Sequence, residues 1–240
     1  MLFRSYLDMT INSTIIRVND HTTRITNDNK NTDLIIYDGT GLELQGIKHD
    51  GYVPGGFTKD CNGAYSASFL GLEVEGYIEN LNVNGVGYGE HVFMSLNSED
   101  IPKLFVPLES DFGWFCHYLH FEYVDGFMNI QLCESFNDEL SGKHGMIQTH
   151  NNESKWLTYN DFKCDPTYWW LSKKTNIIYP IGWNITIGNI HYKDIFIETF
   201  PETFDQELNS GHVWVGDIFS VGLMDGIMMG GVGFTEVVKL

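Results

Sequence analysis

The sequence predicts an all-β protein whose strands form antiparallel sheets in two related units. Two observations support this prediction. Long stretches of helical periodicity are almost absent, and short runs of β-branched and aromatic residues recur instead, separated by Gly, Asn and Asp. The second observation is an internal repeat, with one copy in each half of the chain. Together they are typical of a sandwich or a barrel.

The predicted strands follow one another at short spacing. They span residues 34–37, 65–69, 72–79, 83–93, 114–124, 127–133, 146–150, 155–162, 183–187, 194–199, 212–221 and 232–239. Asp125-Gly126 and Asp225-Gly226 have the composition of tight hairpin turns, because Gly adopts a positive φ there. The polar stretch 19–33 predicts a loop, and residues 201–208 predict one short helix.

The repeat consists of two glycine-containing segments in each copy. In the first copy Gly87 follows Gly76 after eleven residues, and in the second Gly233 follows Gly216 after seventeen. The sequences around the later glycines read Gly-Val-Gly-Tyr-Gly-Glu and Gly-Val-Gly-Phe-Thr-Glu. We expect the difference in length to lie in the hairpin between the segments, where insertions are tolerated.

The length of 240 residues suits two small domains or one large all-β unit. Pro102 and Pro107 interrupt the strand pattern, which places a boundary near residues 98–112. The sequence therefore predicts one β domain in residues 1–105 and a second in residues 106–240.

The composition excludes several function classes. Hydrophobic residues make up 42% of the chain, which argues against global disorder. Fourteen Lys and Arg against 32 Asp and Glu give a net charge of −18. Such a field repels phosphate backbones and anionic lipid surfaces, so we expect no nucleic-acid partner. No apolar run approaches the length of a membrane span, so no membrane span is predicted either.

The four cysteines, Cys61, Cys116, Cys133 and Cys164, form no CxxC motif. We interpret them as free thiols in a reducing compartment. The first residues lack the apolar core of a secretory signal. Both features predict a cytoplasmic protein.

Glu90 is the strongest candidate for chemistry. Residues i and i+2 of a strand share a face, so Val86, Tyr88, Glu90 and Val92 point one way and His91 points the other. Burial among valines is expected to raise the pKa of this carboxyl and leave a neutral acid that can donate a proton. Alternatively, Glu90 is exposed or has a structural role, since Glu236 occupies the same place in the second copy of the repeat.

A second candidate is a mixed face on the two strands after residue 113. Aromatic and polar side chains alternate there with apolar ones, and they could line a pocket with a few polar groups in an aromatic wall. The same pattern also fits the solvent side of a sheet. The candidate substrate-binding residues are Trp114, Tyr118, His120, Asn129 and Gln131.

Neither a metal nor a cofactor is predicted. His117 and His120 are three residues apart and therefore face opposite sides of a strand, which argues against joint metal binding. The glycines around Gly87 lie within a strand with no helix after it, so a dinucleotide-binding loop is not expected.

Six short motifs, in the same order along the chain, resemble a lipocalin-like family. The family includes bacterial carotenoid 1,2-hydratase (hydroxyneurosporene synthase), AttH-type proteins and fungal Diels–Alderases. The motifs are Gly85–His91, Gly113-Trp114-Phe115 leading into Asp125-Gly126, Tyr179–Trp183, Asp205–Leu208, Trp214–Gly216 and Gly231–Glu236.

The resemblance implies two lipocalin-like β-barrel or half-barrel domains and an apolar cavity. It also implies that Tyr88 and Glu90 are catalytic, with His91 beside them. Two departures stand out: Glu90 replaces an Asp of the hydratase, and Val92-Phe93 replaces its Asn-Trp. About 100 residues of the family have no counterpart upstream, which implies a reduced N-terminal domain.

These observations lead to one hypothesis and two alternatives. The hypothesis is a cofactor-independent hydratase, isomerase or cyclase that acts on a hydrophobic polyene, terpenoid or polyketide, with Glu90 as general acid. The first alternative is a pericyclase that works by the shape of its cavity. The second is a non-catalytic carrier of lipids or isoprenoids.

Overall fold

The computed structural model confirms the predicted all-β fold class. It describes residues 7–11, 14–19, 22–37, 42–44, 52–53, 64–94, 113–124, 126–135, 143–150, 153–190, 193–208 and 212–239. The chain divides into two compact units: residues 1–43 with 68–91, and residues 44–67 with 92–240. The predicted boundary near residues 98–112 lies outside the described residues and stays a prediction.

The first sheet contains eight strands. They are β1 Leu7–Ile11, β2 Thr14–Asn19, β3 Thr22–Asn27, β4 Thr32–Tyr37, β5 Leu42–Leu44, β6 Tyr52–Val53, β7 Ala64–Ile78 and β8 Leu81–Met94. Strands β1 to β4 pair in sequence order, β4 pairs with β7, and β8 pairs with β7 as well. The predicted strands 65–69 and 72–79 are parts of one strand, β7. Gly71 lies between them with a φ of 62°, which a glycine can adopt without ending the strand.

The prediction of a loop over residues 19–33 is wrong. This stretch contains β3, a single 3-10 turn at Asp28–Lys30 and the start of β4. Four of the six residues of β3 are β-branched (Thr or Ile), so a polar composition hid a good strand sequence. The side chain of Asn27 caps the turn by accepting a hydrogen bond from the Lys30 backbone N–H.

The second sheet contains nine antiparallel strands. They are β9 Gly113–Tyr123, β10 Gly126–Ser135, β11 His144–Thr149, β12 Ser154–Leu157, β13 Phe162–Leu171, β14 Ile178–Ile190, β15 Lys193–Pro201, β16 Val213–Met224 and β17 Ile227–Lys239. Their order across the sheet is β12-β11-β10-β9-β17-β16-β15-β14-β13. The predicted strand 155–162 is divided into β12 and β13 by a turn at residues 158–161.

This second sheet curls strongly on itself. β9 and β14 lie four places apart in the strand order, yet the ring of Trp183 on β14 lies 4.5 Å from that of His117 on β9. The edge strands β12 and β13 are joined by a turn of only four residues, closed by a hydrogen bond from Asp161 N–H to Thr158 O. The inward side chains therefore meet in one apolar core that includes Trp183, Trp214 and Phe121, each fully buried.

The repeat corresponds to two β-hairpins of different length, β7–β8 and β16–β17. Both hairpins turn over two residues with positive φ, Glu79-Asn80 in the first and Asp225-Gly226 in the second. That geometry matches the twist of antiparallel strands. The turn predicted at Asp225-Gly226 is thus confirmed.

The predicted helix at residues 201–208 is wrong. Pro201 ends β15, and the chain then crosses to a single bridge between Glu207 and Trp214. The indole N–H of Trp214 donates to the carbonyl of Phe204 at 2.8 Å, and Asp217 N–H donates to the Gln206 side chain at 3.1 Å. These contacts to side chains and to β16 take the place of helical hydrogen bonds.

Cys116 and Cys133 face each other across β9 and β10 and form a disulfide. The prediction of free thiols is therefore wrong for this pair, because the register of the hairpin brings two distant cysteines together. Cys164 is free and half-buried, and Cys61 lies outside the described residues. Disulfides persist mainly in oxidising compartments, so the cysteines do not support the predicted cytoplasmic location, which stays a prediction.

Reduction of the disulfide is expected to lower the free energy of unfolding by about 3 kcal/mol, the entropy of closing a loop of this length. Denaturant unfolding with and without reductant measures the loss. The paired variant Cys116→Ser/Cys133→Ser is the control and should not respond to reductant. Titration of four reactive thiols in the untreated unfolded protein would contradict the assignment.

Within the described part of the chain, no helix is both long and apolar enough to cross a membrane.

Candidate functional site

Tyr88 lies on β8 with its hydroxyl 2.9 Å from the hydroxyl of Ser68 on β7. Ser68 is fully buried and Tyr88 is half-buried. Val86, on the same face of β8, exposes 44% of its surface. The described part of this face is thus open at Val86 and more enclosed at Tyr88.

Glu90 and His91 belong to β8, but their side chains lie outside the described part of the structure. The opposite face of the strand is described at Gly87 and Gly89. A Cβ at Gly87 would lie 3.0 Å from Val74, and one at Gly89 would lie 3.2 Å from Leu72. The glycines therefore let side chains of β7 cover this face of β8. The catalytic assignment of Tyr88, Glu90 and His91 stays a prediction.

The five candidate substrate-binding residues lie together on one face of the second sheet. His120 faces Asn129 across β9 and β10, and Tyr118 faces Gln131. This face points away from the apolar core of the second sheet, and we call it the outward face. It is nevertheless buried at its centre: Asn129 exposes 3% of its surface and Gln131 exposes 2%. The expectation that these residues share a face is confirmed, and the alternative of a solvent-facing sheet does not hold for Asn129 and Gln131. Their role in binding substrate stays a prediction.

Hydrogen bonds organise the polar centre of this face. The Nδ1 atom of His120 lies 2.7 Å from Asn129 Oδ1, and since that oxygen only accepts, Nδ1 is the donor. Nε2 of His120 lies 3.7 Å from a carboxylate oxygen of the exposed Glu122. Asn129 also faces Gln148 on β11, which exposes 1% of its surface.

In the described polar centre of this face, three buried side-chain atoms have no hydrogen-bond partner. They are Asn129 Nδ2, which is a donor, Gln148 Oε1, which is an acceptor, and His120 Nε2. Buried polar groups are nearly always paired, and an unpaired one indicates strain, an ion, a water or a ligand. Gln148 belongs to this face and was not among the residues predicted from the sequence. The only signal for it was its alternation with Ile147 on a strand that follows β10.

Aromatic rings form the rest of the face. Tyr118 stacks on Phe234 of β17 with ring centroids 4.5 Å apart. The indole N–H of Trp114 donates to Glu236 at 3.0 Å. Glu236, the counterpart of Glu90 in the repeat, is therefore held by an aromatic donor in the second unit. In this copy, the repeated acid has a structural hydrogen bond.

His117 points the other way, into the apolar core. Its ring is fully buried, and its Nδ1 atom lies 2.8 Å from the hydroxyl of Thr235. Burial lowers the pKa of His117 to about 3, so the ring is neutral at physiological pH. His117 and His120 thus lie on opposite faces, as their spacing predicts. Among the residues that the structure describes, no group of three His, Cys, Asp or Glu side chains could hold a metal ion.

A separate polar cluster surrounds Glu207 after β15. Its carboxylate accepts hydrogen bonds from Ser172 at 2.6 Å, Thr175 at 2.6 Å and Tyr179 at 2.7 Å. Burial acts to raise the pKa of Glu207, but these hydrogen bonds together lower it. Burial also raises the pKa of the Tyr179 hydroxyl, and its bond to Glu207 adds to this. Each of these three hydroxyls has its acceptor within the cluster, so the cluster stabilises the segment after β15.

Comparison with known proteins confirms the fold class. The chain matches no protein-family model and no curated protein sequence. Its structure is similar to the crystal structure of an AttH-type protein from Nitrosomonas europaea, with a TM-score of 0.69 and 19% identity over 96% of this chain and 69% of that one. It is also similar to kievitone hydratase from Nectria haematococca, with a TM-score of 0.64 and 15% identity over 98% and 71% of the two chains. Such similarity shows the lipocalin-like fold.

Proposed function

We propose that this protein is a cofactor-independent enzyme of the hydratase type that acts on a hydrophobic small molecule. The observation that supports a ligand is the group of unpartnered buried atoms around Asn129, which includes Asn129 Nδ2 and Gln148 Oε1. A ligand that offers one acceptor and one donor would satisfy both. The similarity in fold to a protein named as a hydratase favours this reaction class.

In the proposed reaction Glu90 is the general acid. A neutral carboxyl transfers its proton to one carbon of an alkene, the other carbon becomes cationic, and water adds there and returns a proton to the carboxylate. The Tyr88 hydroxyl, already directed by its bond to Ser68, orients the acid or stabilises the cation. His91 supports the site. The same proton transfer without water would lead to isomerisation or cyclisation.

The variant Glu90→Gln is expected to lower the turnover of a substrate found by screening polyenes, terpenoids and polyketides by at least about 100-fold, with the substrate affinity little changed. The amide keeps the size of the side chain but has no acidic proton. The matched control is Glu79→Gln, an exposed residue of the same hairpin. Normal turnover by a folded Glu90→Gln variant would remove Glu90 from the mechanism.

Two other functions remain as proposals, because binding of a ligand on the outward face around Asn129 and Gln148 (the ligand face) does not by itself require an acid. A pericyclase would show a rate that is flat between about pH 5 and 8, since no proton transfer limits it. A carrier would copurify with an unchanged hydrophobic ligand and convert none of the candidates. The Glu90→Gln measurement separates both from the acid-catalysed enzyme.

A further inference from the structure

One row of facing residues crosses six strands on the outward face of the second sheet. The register connects Gln148 with Asn129, Asn129 with His120, and His120 with Val232. It continues from Val232 to Phe219 and from Phe219 to Phe200. Residues that face each other directly in an antiparallel sheet project on the same side. The outward row is therefore Gln148, Asn129, His120, Val232, Phe219 and Phe200.

The two halves of this row differ in chemistry. The half on β11, β10 and β9 is polar and mostly buried, and it contains the three unpartnered atoms described above. The half on β17, β16 and β15 is apolar and open. Val232 and Phe219 each expose 52% of their surface. Phe200 is half-buried, with its ring 6.2 Å from that of Tyr168. An exposed apolar strip that continues from a buried polar site is typical of a binding surface.

The charges beside the row are all negative. Glu122, Asp217 and Glu198 each lie two residues from a member of the row, on the same face of β9, β16 and β15, and all three are exposed. On the described outward positions of these three strands and of β10, β11 and β17, Lys and Arg do not occur. On the described part of this face, a carboxylate or phosphate of a ligand would therefore meet charges of its own sign.

We infer that the ligand of this face is an uncharged amphiphile, with a hydroxyl or primary amide at one end and a linear apolar tail. This inference rests on the proposed function. The head group accepts a hydrogen bond from Asn129 Nδ2 and donates one to Gln148 Oε1, which a hydroxyl or a primary amide does with adjacent atoms. The tail lies over Val232 and Phe219. At a strand spacing of about 4.8 Å, β10 and β16 are about 14 Å apart, so short molecules cannot reach from one to the other.

The test is the binding of straight-chain primary alcohols from butan-1-ol to decan-1-ol to the full chain, by calorimetry or native mass spectrometry. Affinity is expected to rise about twofold per methylene, since one side of the tail faces solvent, or about 60-fold over the six added methylenes. Decanoate should bind about tenfold more weakly than decan-1-ol, or worse.

Three variants separate the head from the tail. Phe219→Thr should abolish most of the increase with chain length and leave the affinity for butan-1-ol unchanged. Asn129→Leu should weaken every member by about the same factor. Met228→Thr, at a more exposed position on β17 outside the row, is the matched control and should change nothing.

The outcomes are distinguishable. A chain-length dependence that Phe219→Thr removes and Met228→Thr leaves intact supports the inference. Alcohols that bind with no such dependence, or with one that Phe219→Thr does not alter, overturn the tail assignment and leave the ligand face intact. Absence of binding for every alcohol overturns the inference and the ligand part of the proposed function, whereas Glu90→Gln tests the catalytic part independently.

Discussion

Acidification from pH 6.5 to 3 is expected to lower the free energy of unfolding by about 4 kcal/mol through His117 alone. The folded-state pKa of His117 is about 3, whereas that of an unperturbed histidine is 6.5. Below pH 6.5 the unfolded chain binds a proton that the buried ring does not, so the unfolded state gains stability as the pH falls. The stabilisation that comes from the neutral His117 ring is complete well above pH 6.5. It is lost as the pH falls from 6.5 to 3, and the loss levels off below pH 3. A loss of this size is a large share of the stability of an ordinary domain.

The measurement is the free energy of unfolding by urea across this pH range, in the wild type and in His117→Asn. The variant is expected to be weaker at neutral pH, because it leaves space beside Trp183, but to lack this part of the acid dependence. The exposed His150 provides the control variant, His150→Asn. As a second measurement, the ring resonances of His117 should not titrate above about pH 4. A midpoint near 6.5 would show that the ring is accessible and the prediction wrong.

The variant Glu207→Gln is expected to destabilise the protein by about 3 kcal/mol. Ser172, Thr175 and Tyr179 all donate to the carboxylate, and hydrogen bonds to a charged group are worth about 1.5–3 kcal/mol each. The amide offers one acceptor oxygen in place of two and adds a competing donor. Because hydrogen bonding lowers the pKa of Glu207, its contribution is present above the unfolded-state value and is lost as the pH falls through the folded one.

Thermal or urea unfolding at pH 7 measures this effect. Glu202→Gln changes an exposed carboxylate of the same segment and should cost less than about 0.5 kcal/mol. Tyr179→Phe should cost about 1.5 kcal/mol, since it removes only one of the three bonds. Equal effects of Glu207→Gln and Glu202→Gln would mean that the cluster does not hold this end of the second sheet.

Some of the motifs that resemble the lipocalin-like family make structural contacts in this protein. Tyr179, Glu207 and Trp214 come from three separate motifs of that resemblance. The structure unites them in the contacts that anchor the segment after β15 to β14 and β16. A motif can thus be shared because the fold requires it. Glu236 is a further example, since the indole N–H of Trp114 donates to its carboxylate in the second copy of the repeat.

The candidate site could be predicted only in part. The alternation of residues correctly grouped Trp114, Tyr118 and His120 on one face, because strand geometry assigns every second residue to the same side. It could not find Gln148, whose place beside Asn129 depends on the pairing of β10 with β11. It also could not show that both faces of β10 are buried, since burial depends on what packs against each face.

The amino-acid pattern was sufficient for the fold class, for most strands from β4 onwards and for the turn at Asp225-Gly226, because these follow from local backbone preferences and from an alternation with a period of two. Contacts between distant parts of the chain could not be predicted from these local patterns. The disulfide between Cys116 and Cys133 and the contact of His117 with Trp183 depend on register and on the curl of the sheet. The physical reason is that local sequence sets the side on which a side chain projects, whereas pairing and packing set what it meets there.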